Sequence, residues 1–285
     1  MNRGWVVDIV EHLPQALVSR GWGWLARRKA PKPAVRLLKR VFVRLAGIDL
    51  SEAGATVDDY ACLEDLFVRK LLPGQRVVDA DPRVVVSPVD GAVGACGTVT
   101  DGTLLQLKGR TYSLARLLGD SALAEGFEGG DYATIYLAPH NYHRIHSPVG
   151  GEVREATVIP GALMPVFHES LERVEELFAR NERLISYVSM PNGGRVAVVK
   201  VGATLVGRIS LAFDDSVHTN DGGQSMRALQ YDPPIPMEKG GELGAFELGS
   251  TVVLVFDKGA AKLDELTPGA VIRMGERIGM LEGDS

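Results

Sequence analysis

Residues 84–100 read VVVSPVDGAVGACGTVT. Two β-branched runs flank a Ser-Pro-Val-Asp-Gly corner, so the stretch reads as strand, turn, strand. The same grammar continues along the chain. LLQLKG (104–109) is a short strand, and DYATIYLAP (131–139) is a buried strand stopped by Pro139. EVREATVI (152–159) alternates between apolar and polar residues. RLISYVSM (183–190) and RVAVVKV (195–201) flank Asn192-Gly193-Gly194 and form a hairpin. TLVGRISLAF, GAFELG, STVVLVF and AVIRMGERIGML extend the series. Helices are few. YSLARLLGD (112–120) is short, and HESLERVEELFARN (168–181) is the best helix of the body, with Leu171, Val174, Leu177 and Phe178 on one stripe. Residues 214–239 are polar and rich in Gly and Pro and read as a long mobile loop. There is no repeat of fixed period. The expectation is an α+β body, mostly antiparallel sheet with a few helices, preceded by amphipathic N-terminal helices.

The chain of 285 residues has room for one large domain or two small ones, and its 45% apolar and 24% charged residues are those of an ordinary globular protein. Its 33 Gly and 15 Pro suit short strands and tight turns better than a helical bundle. Two cysteines, Cys62 and Cys96, exclude a disulfide scaffold and a four-Cys zinc site, and point to a reducing compartment. No apolar run is long enough for a transmembrane helix. Asp8, Glu11 and Pro14 interrupt what would be the core of a secretory signal.

The net charge of −5 hides two populations. Residues 1–48 hold ten Lys/Arg against two acids, a net +8, and all three tryptophans: Trp5, Trp22 and Trp24. The remainder holds 21 Lys/Arg against 34 acids, a net −13. Residues 34–46, AVRLLKRVFVRLA, read as a helix with Arg36, Lys39, Arg40 and Arg44 on one face. Leu37, Leu38, Val41, Phe42 and Leu45 form the other face. An earlier piece, residues 4–18, spaces Trp5, Ile9 and Leu13 one turn apart and is kinked by Pro14. Tryptophan beside clustered cations suits a segment lying at an anionic membrane surface. The alternative is an amphipathic helix packed on its own protein. Nucleic acid is disfavoured, because the acidic body would repel phosphate.

Three segments carry candidate chemistry. PHNYHRIHSP holds His140, His143 and His146 directly after a buried strand. Three-residue spacing is compatible with a metal site, yet no further donors are evident, so no metal is expected. Loop histidines with ordinary hydrogen bonds are the plainer reading. Asp90, in SPVDG, sits where an Asp often only makes a turn. Ser250, in ELGSTVVLVF, stands at a Gly-Ser-Thr corner before a buried strand, a common arrangement in itself.

Together these segments resemble the bacterial phosphatidylserine decarboxylases, pyruvoyl-dependent enzymes. The matching pieces are SPVDG (87–91), YHRIHSP (142–148), LFARNERLI (177–185), VGATLVGRI (201–209) and KGGELGAFELGST (239–251), with the basic, Trp-bearing N-terminus. One departure is GALMPVFHE (161–169), where Met164 and Phe167 alter the local pocket shape. The resemblance implies a proenzyme in which Asp90, His146 and Ser250 form the self-processing set. His146 would take the Ser250 proton, Asp90 would orient the imidazole, and Ser250 would attack the carbonyl of Gly249. The ester then eliminates, giving a longer chain, 1–249, and a shorter chain, 250–285, which stay associated. Ser250 becomes a covalent pyruvoyl group, an electron sink that forms a Schiff base with phosphatidylserine and yields phosphatidylethanolamine. His143 would donate the proton that replaces carbon dioxide, with His140 a bystander.

The resemblance also implies residues 1–48 as a basic membrane-associating segment, 49–285 as the catalytic domain, and a peripheral location on the cytoplasmic side of the cell membrane. Homodimerisation stays open. Two other readings stand beside it. A membrane-associated serine hydrolase could use the same three residues, although Ser250 lacks a G-x-S-x-G elbow and leads into a strand. A non-enzymatic membrane-surface adaptor is suggested by the glycine-punctuated strands VKVGATLVGRI and AVIRMGERIGML, but no Lys stands at a hairpin tip.

Overall fold

The computed structural model describes residues 15–107, 109–204, 208–247 and 251–283. Helices α1 (Gln15–Ala26), α2 (Lys32–Ala46) and α3 (Leu63–Phe67) come first. Strands β1 (Val84–Val86), β2 (Gly91–Thr98), β3 (Thr103–Leu107) and β4 (Arg110–Ser113) lead to the short helices α4 (Leu114–Leu118) and α5 (Ser121–Glu125). Then come β5 (Asp131–Tyr136), β6 (Arg144–His146), β7 (Gly151–Ile159), α6 (His168–Arg173), α7 (Leu177–Arg180), β8 (Arg183–Ser189) and β9 (Arg195–Val201). The chain continues through β10 (Ile209–Leu211), β11 (Arg227–Met237), β12 (Glu242–Phe246) and β13 (Thr251–Phe256), and ends with β14 (Ala261–Leu263), β15 (Val271–Ile272) and β16 (Arg277–Leu281).

An eight-stranded antiparallel sheet, in the order β11-β7-β8-β9-β13-β5-β2-β15, is the frame. Its central strand β13, TVVLVF, is buried throughout. Val252, Leu254 and Phe256 enter one core, with Ile135, Ile145, Val188 and Phe246; Val253 and Val255 enter the other, with Leu114, Leu117, Tyr132 and Phe178. Period-two alternation with both faces apolar is what a sheet covered on both sides requires. The small sheets β10-β12-β6 and β1-β16-β14 contribute to the first core. Helices α4, α6 and α7 contribute to the second.

The α+β class and the predominantly antiparallel sheet agree with the sequence reading. Two local expectations need correction. Residues 168–181 form two short helices, because Val174 is extended and Glu176 takes a left-handed φ of 50°. The buried amide of Gln106 satisfies the break: its Nε2 donates to the carbonyls of Leu171 and Val174, and its Oε1 accepts from the Leu177 N–H. Residues 214–239 are not a loop throughout, since residues 227–237 form the edge strand β11, paired with β7. Its Pro233, Pro234 and Pro236 fit an edge, where missing N–H donors are tolerated, and its register shifts between Gln230 and Ile235. The Trp-bearing stretch GWGWLA is itself helical, within α1. The remaining expectation there, a piece kinked at Pro14, lies largely outside the described residues.

Helix α2 is amphipathic as expected, yet its faces are used differently. Leu38 and Phe42 pack with Trp22 onto Ala26, Leu63 and Phe67. Lys39 is buried and donates to the carbonyls of Val57 and Tyr60, and Arg36 and Arg40 reach Asp58. Leu37, Val41 and Leu45, one helical turn apart, remain 64%, 45% and 83% exposed. None of the described helices is long and apolar enough to cross a membrane.

Candidate active site

The SPVDG corner joins β1 to β2. Its Asp90 is buried, and Oδ1 accepts from Arg76 Nε at 2.8 Å and from the Met274 N–H at 2.9 Å. Arg76 Nη2 closes the ion pair on Oδ2 and also donates to Glu52 at 2.8 Å. Asp90 is thus gripped by a bidentate guanidinium, the strong form of such a pair.

His146 ends β6 beside the same corner, with its backbone N–H donating to Pro88 O at 2.9 Å. Its Nδ1 lies 2.8 Å from the Gly240 carbonyl. A carbonyl only accepts, so Nδ1 carries the proton and Nε2 holds the lone pair. The Tyr142 hydroxyl donates to that Nε2 at 3.0 Å, and the two rings stack with centroids 5.6 Å apart. Burial lowers the pKa of His146, while the Gly240 hydrogen bond and the charge of Glu242 oppose the shift. The ring is therefore a neutral base near pH 7. Asp90 and His146 flank one corner. Among the described residues, however, the hydrogen bonds of Asp90 go to Arg76 and Met274, and those of the His146 ring go to Gly240 and Tyr142.

His143 precedes β6 and is fully buried. Its Nδ1 donates to the Asn141 carbonyl at 2.8 Å, so Nε2 is again the lone-pair nitrogen, and it has no partner among the described residues. The Phe67 ring lies 4.0 Å from the imidazole, centroid to centroid. Burial, the first cause, pushes the His143 pKa down to about 3. His140, in contrast, lines the adjacent cavity. No group of three or more His, Cys, Asp or Glu among the described residues could hold a metal ion.

Gly249 and Ser250 lie outside the described residues. Their surroundings follow from the strands on either side. β12 pairs with β6, placing Glu242 opposite His146. β13 opens at Thr251, opposite Tyr136 on β5 and Val201 on β9. Tyr136 in turn lies opposite Ala92, two residues beyond Asp90. β12 ends at Phe246, whose N–H donates to the His143 carbonyl at 3.0 Å, and β13 begins beside Tyr136. A cavity of about 640 Å³ opens there, walled by Tyr136, Leu137, Ala203, Thr204, Phe167 and, from the N-terminal helices, Trp22 and Phe42. The cavity therefore draws walls from both sides of residue 48. Phe167, singled out as a departure in sequence, is one of them, whereas Met164 is buried in the second core.

Several contributors escape a reading of sequence alone. Arg76 and Tyr142 carry no motif of their own, although Tyr142 stands inside the histidine segment. Gly240 acts through its backbone, which no side-chain pattern reveals.

Comparison with known proteins assigns the chain to a family. A family model described as phosphatidylserine decarboxylase matches residues 63–280. The chain is similar to the phosphatidylserine decarboxylase proenzyme of Anaeromyxobacter sp. (strain K), 48% identical over 98% of this chain and 99% of that protein. It is 42% identical to that of Myxococcus xanthus (strain DK1622), over 99% and 100%. It is 39% identical to that of Bordetella avium (strain 197N), over 95% and 92%. With the family model spanning most of the chain and relatives aligned end to end, the chain belongs to the phosphatidylserine decarboxylase family, as a decarboxylase proenzyme.

Proposed function

We propose that the chain cleaves itself between Gly249 and Ser250, converts Ser250 to a pyruvoyl group, and then decarboxylates phosphatidylserine to phosphatidylethanolamine. The observation that carries this reading is the position of β13. Its first residue, Thr251, pairs with Tyr136, a wall of the apolar cavity, while the preceding strand runs alongside His146. The four residues 247–250 therefore run from Phe246, whose N–H donates to the His143 carbonyl, to Thr251 beside the cavity wall, while His146 lies opposite Glu242 at the other end of the preceding strand.

In the first stage His146 accepts the Ser250 proton at Nε2, directly or through the Tyr142 hydroxyl already bonded there. The nearby Asp90 carboxylate favours the cationic imidazole that results. The residues also suit a pyruvoyl group. Thr251 Oγ1, adjoining it, and His143 Nε2 are buried polar atoms without partners among the described residues. When present, the group supplies a carbonyl that withdraws electrons from the substrate. His143, neutral at rest, takes a proton from the substrate ammonium, which frees the amine lone pair. It returns that proton to the α-carbon once carbon dioxide has left. The apolar walls exclude water from the carboxylate.

For the lipid surface, support comes from Trp24, Leu25 and the Leu37-Val41-Leu45 stripe, exposed apolar groups on a segment of net charge +8. On this reading residues 1–48 seat the protein on the cytoplasmic side of an anionic membrane, and residues 49–285 carry the chemistry.

The test is direct. Purified protein incubated with phosphatidylserine vesicles should release carbon dioxide and form phosphatidylethanolamine, and Ser250→Ala should do neither. Ester hydrolysis by an uncut chain would instead favour the serine hydrolase.

A further inference from the structure

Arg69 follows α3 and is almost fully buried. A buried guanidinium is costly unless paired. Yet no carboxylate among the described residues forms an ion pair with it, and its Nε and Nη1 have no partner there. Its contacts are instead with one loop: Nη2 donates to the carbonyls of His140, at 2.9 Å, and Asn141, at 3.2 Å. The Asn141 carbonyl is the one that accepts from His143 Nδ1 at 2.8 Å. One oxygen thus receives a guanidinium from one side and the imidazole from the other. Within the loop the Asn141 side chain accepts from the Ala138 N–H and the Asn141 N–H donates to the Ala138 carbonyl, and the His143 carbonyl accepts from the Phe246 N–H.

We propose that Arg69 is a positioning residue for decarboxylation, clamping the Asn141 carbonyl so that His143 is held as its Nδ1–H tautomer with Nε2 free to take and return the reacting proton. This rests on the decarboxylase reading of His143 given above. Two consequences follow from the geometry. First, the clamp decides which nitrogen is the base: were the carbonyl to turn away, Nδ1 would lose its acceptor and the tautomers would become comparable in energy. Second, the positive charge disfavours a protonated His143. The titratable groups acting on His143 are Arg69 and His140, both lowering its pKa, while the remaining neighbours are the Phe67 ring and the backbone of Asn141 and Phe246. Asp90, Glu52, Tyr60 and Arg76 act on Arg69 itself. Among the described residues the hydrogen bonds of Arg69 go to the loop before His143 and those of the His146 ring go to Gly240 and Tyr142, which assigns the clamp to the second stage.

Arg69→Met removes both charge and fork, and Arg69→Lys keeps the charge but not the planar fork. Three readouts are compared with wild type: the extent of self-cleavage, the pH profile of kcat/KM on phosphatidylserine in mixed micelles, and the imidazole ¹⁵N shifts of His143. Arg69→Met should self-cleave normally and lose about tenfold to 100-fold in kcat, as misplacement of a reacting group does. Its acid limb should move to higher pH, because a cation that disfavours imidazolium is gone, and its ¹⁵N shifts should leave the Nδ1–H pattern. Arg69→Lys should keep the acid limb and lose less in kcat. A self-cleaved Arg69→Met with unmoved acid limb and unmoved ¹⁵N shifts would overturn the proposal, even if kcat fell, since that is the signature of a merely structural role. Should Arg69→Met fail to fold, Arg69→Lys decides: wild-type kcat together with wild-type shifts would overturn it. If wild type itself did not decarboxylate, the ¹⁵N arm would still report whether the clamp sets the tautomer.

Discussion

Asp90, His143 and His146 are residue types whose chemistry is visible in a sequence, and all three are buried, with Asp90 and His146 at the corner that SPVDG makes. Their partners were not visible. Asp90 hydrogen-bonds to Arg76, fourteen positions earlier, and His146 to the backbone of Gly240 and the hydroxyl of Tyr142. Partner choice depends on which loops meet in space, and a carbonyl acceptor leaves no side-chain signal. The two histidines should separate by stage. His146→Ala should abolish self-cleavage; His143→Ala should cleave and then lose about 10²–10⁴-fold in decarboxylation, the usual contribution of a general acid–base group. Gel analysis of cleavage with a carbon dioxide assay distinguishes them, and the reverse pattern would reassign the roles. Tyr142→Phe removes one hydrogen bond to the processing base. At about 1 kcal/mol it should slow self-cleavage roughly fivefold, measured by pulse-chase on the nascent chain. An unchanged rate would show that the hydroxyl plays no part.

Strands were the legible elements. β5, β7, β8, β9 and β13 stand where alternation or β-branched runs placed them, because a sheet buried on both faces leaves a strong apolar imprint. β11 left none: it is an edge strand with three prolines, and its existence depends on pairing with β7. The break at residues 174–176 was hidden too, since Leu171, Val174, Leu177 and Phe178 are all buried even though the helix is interrupted. Helix α2 divides its apolar residues between two faces. Leu38 and Phe42 face the body, and Leu37, Val41 and Leu45 face out. Replacing the three outward residues with Ser should lower binding to anionic vesicles while leaving self-cleavage intact, as read by vesicle sedimentation. High salt should weaken wild-type binding only in part, because apolar burial is not screened. Equal sedimentation of variant and wild type would mean the stripe does not meet lipid. Deleting residues 1–45 is a blunter instrument, since it would also remove Trp22 and Phe42 from the cavity wall.

Across the whole molecule, the two cores meet at a sheet whose middle contains a buried cation. Lys200 on β9 is fully buried, its Nζ donating among the described residues to the Ser186 hydroxyl at 2.7 Å, and burial pushes its pKa down to about 7. The unfolded chain holds this proton up to a pH of about 10. Below pH 7 both states are protonated and the folded state carries the full penalty of the buried charge. Between about pH 7 and 10 only the unfolded state is protonated, so stability rises with pH. In the uncleaved Ser250→Ala background, Lys200→Met should therefore stabilise most below pH 7, by the order of a few kcal/mol, less what the unpaired Ser186 hydroxyl costs. The gain should vanish near pH 10. Urea titrations at pH 6 and pH 10 would show it, and an equal effect at both would mean that folding does not lower the pKa of Lys200.

On the proposed reading maturation is the decisive event, because the link between β12 and β13 would have to be cut for the cavity to acquire its electron sink. The direct measurement is the intact mass of the purified wild-type protein beside Ser250→Ala. Two chains are expected from wild type, 1–249 and the 36-residue 250–285, the latter lighter by one ammonia than the same peptide beginning with serine. Ser250→Ala should give a single chain of full mass. A wild-type preparation that decarboxylates phosphatidylserine while its mass remains that of the uncut 285-residue chain would contradict the account.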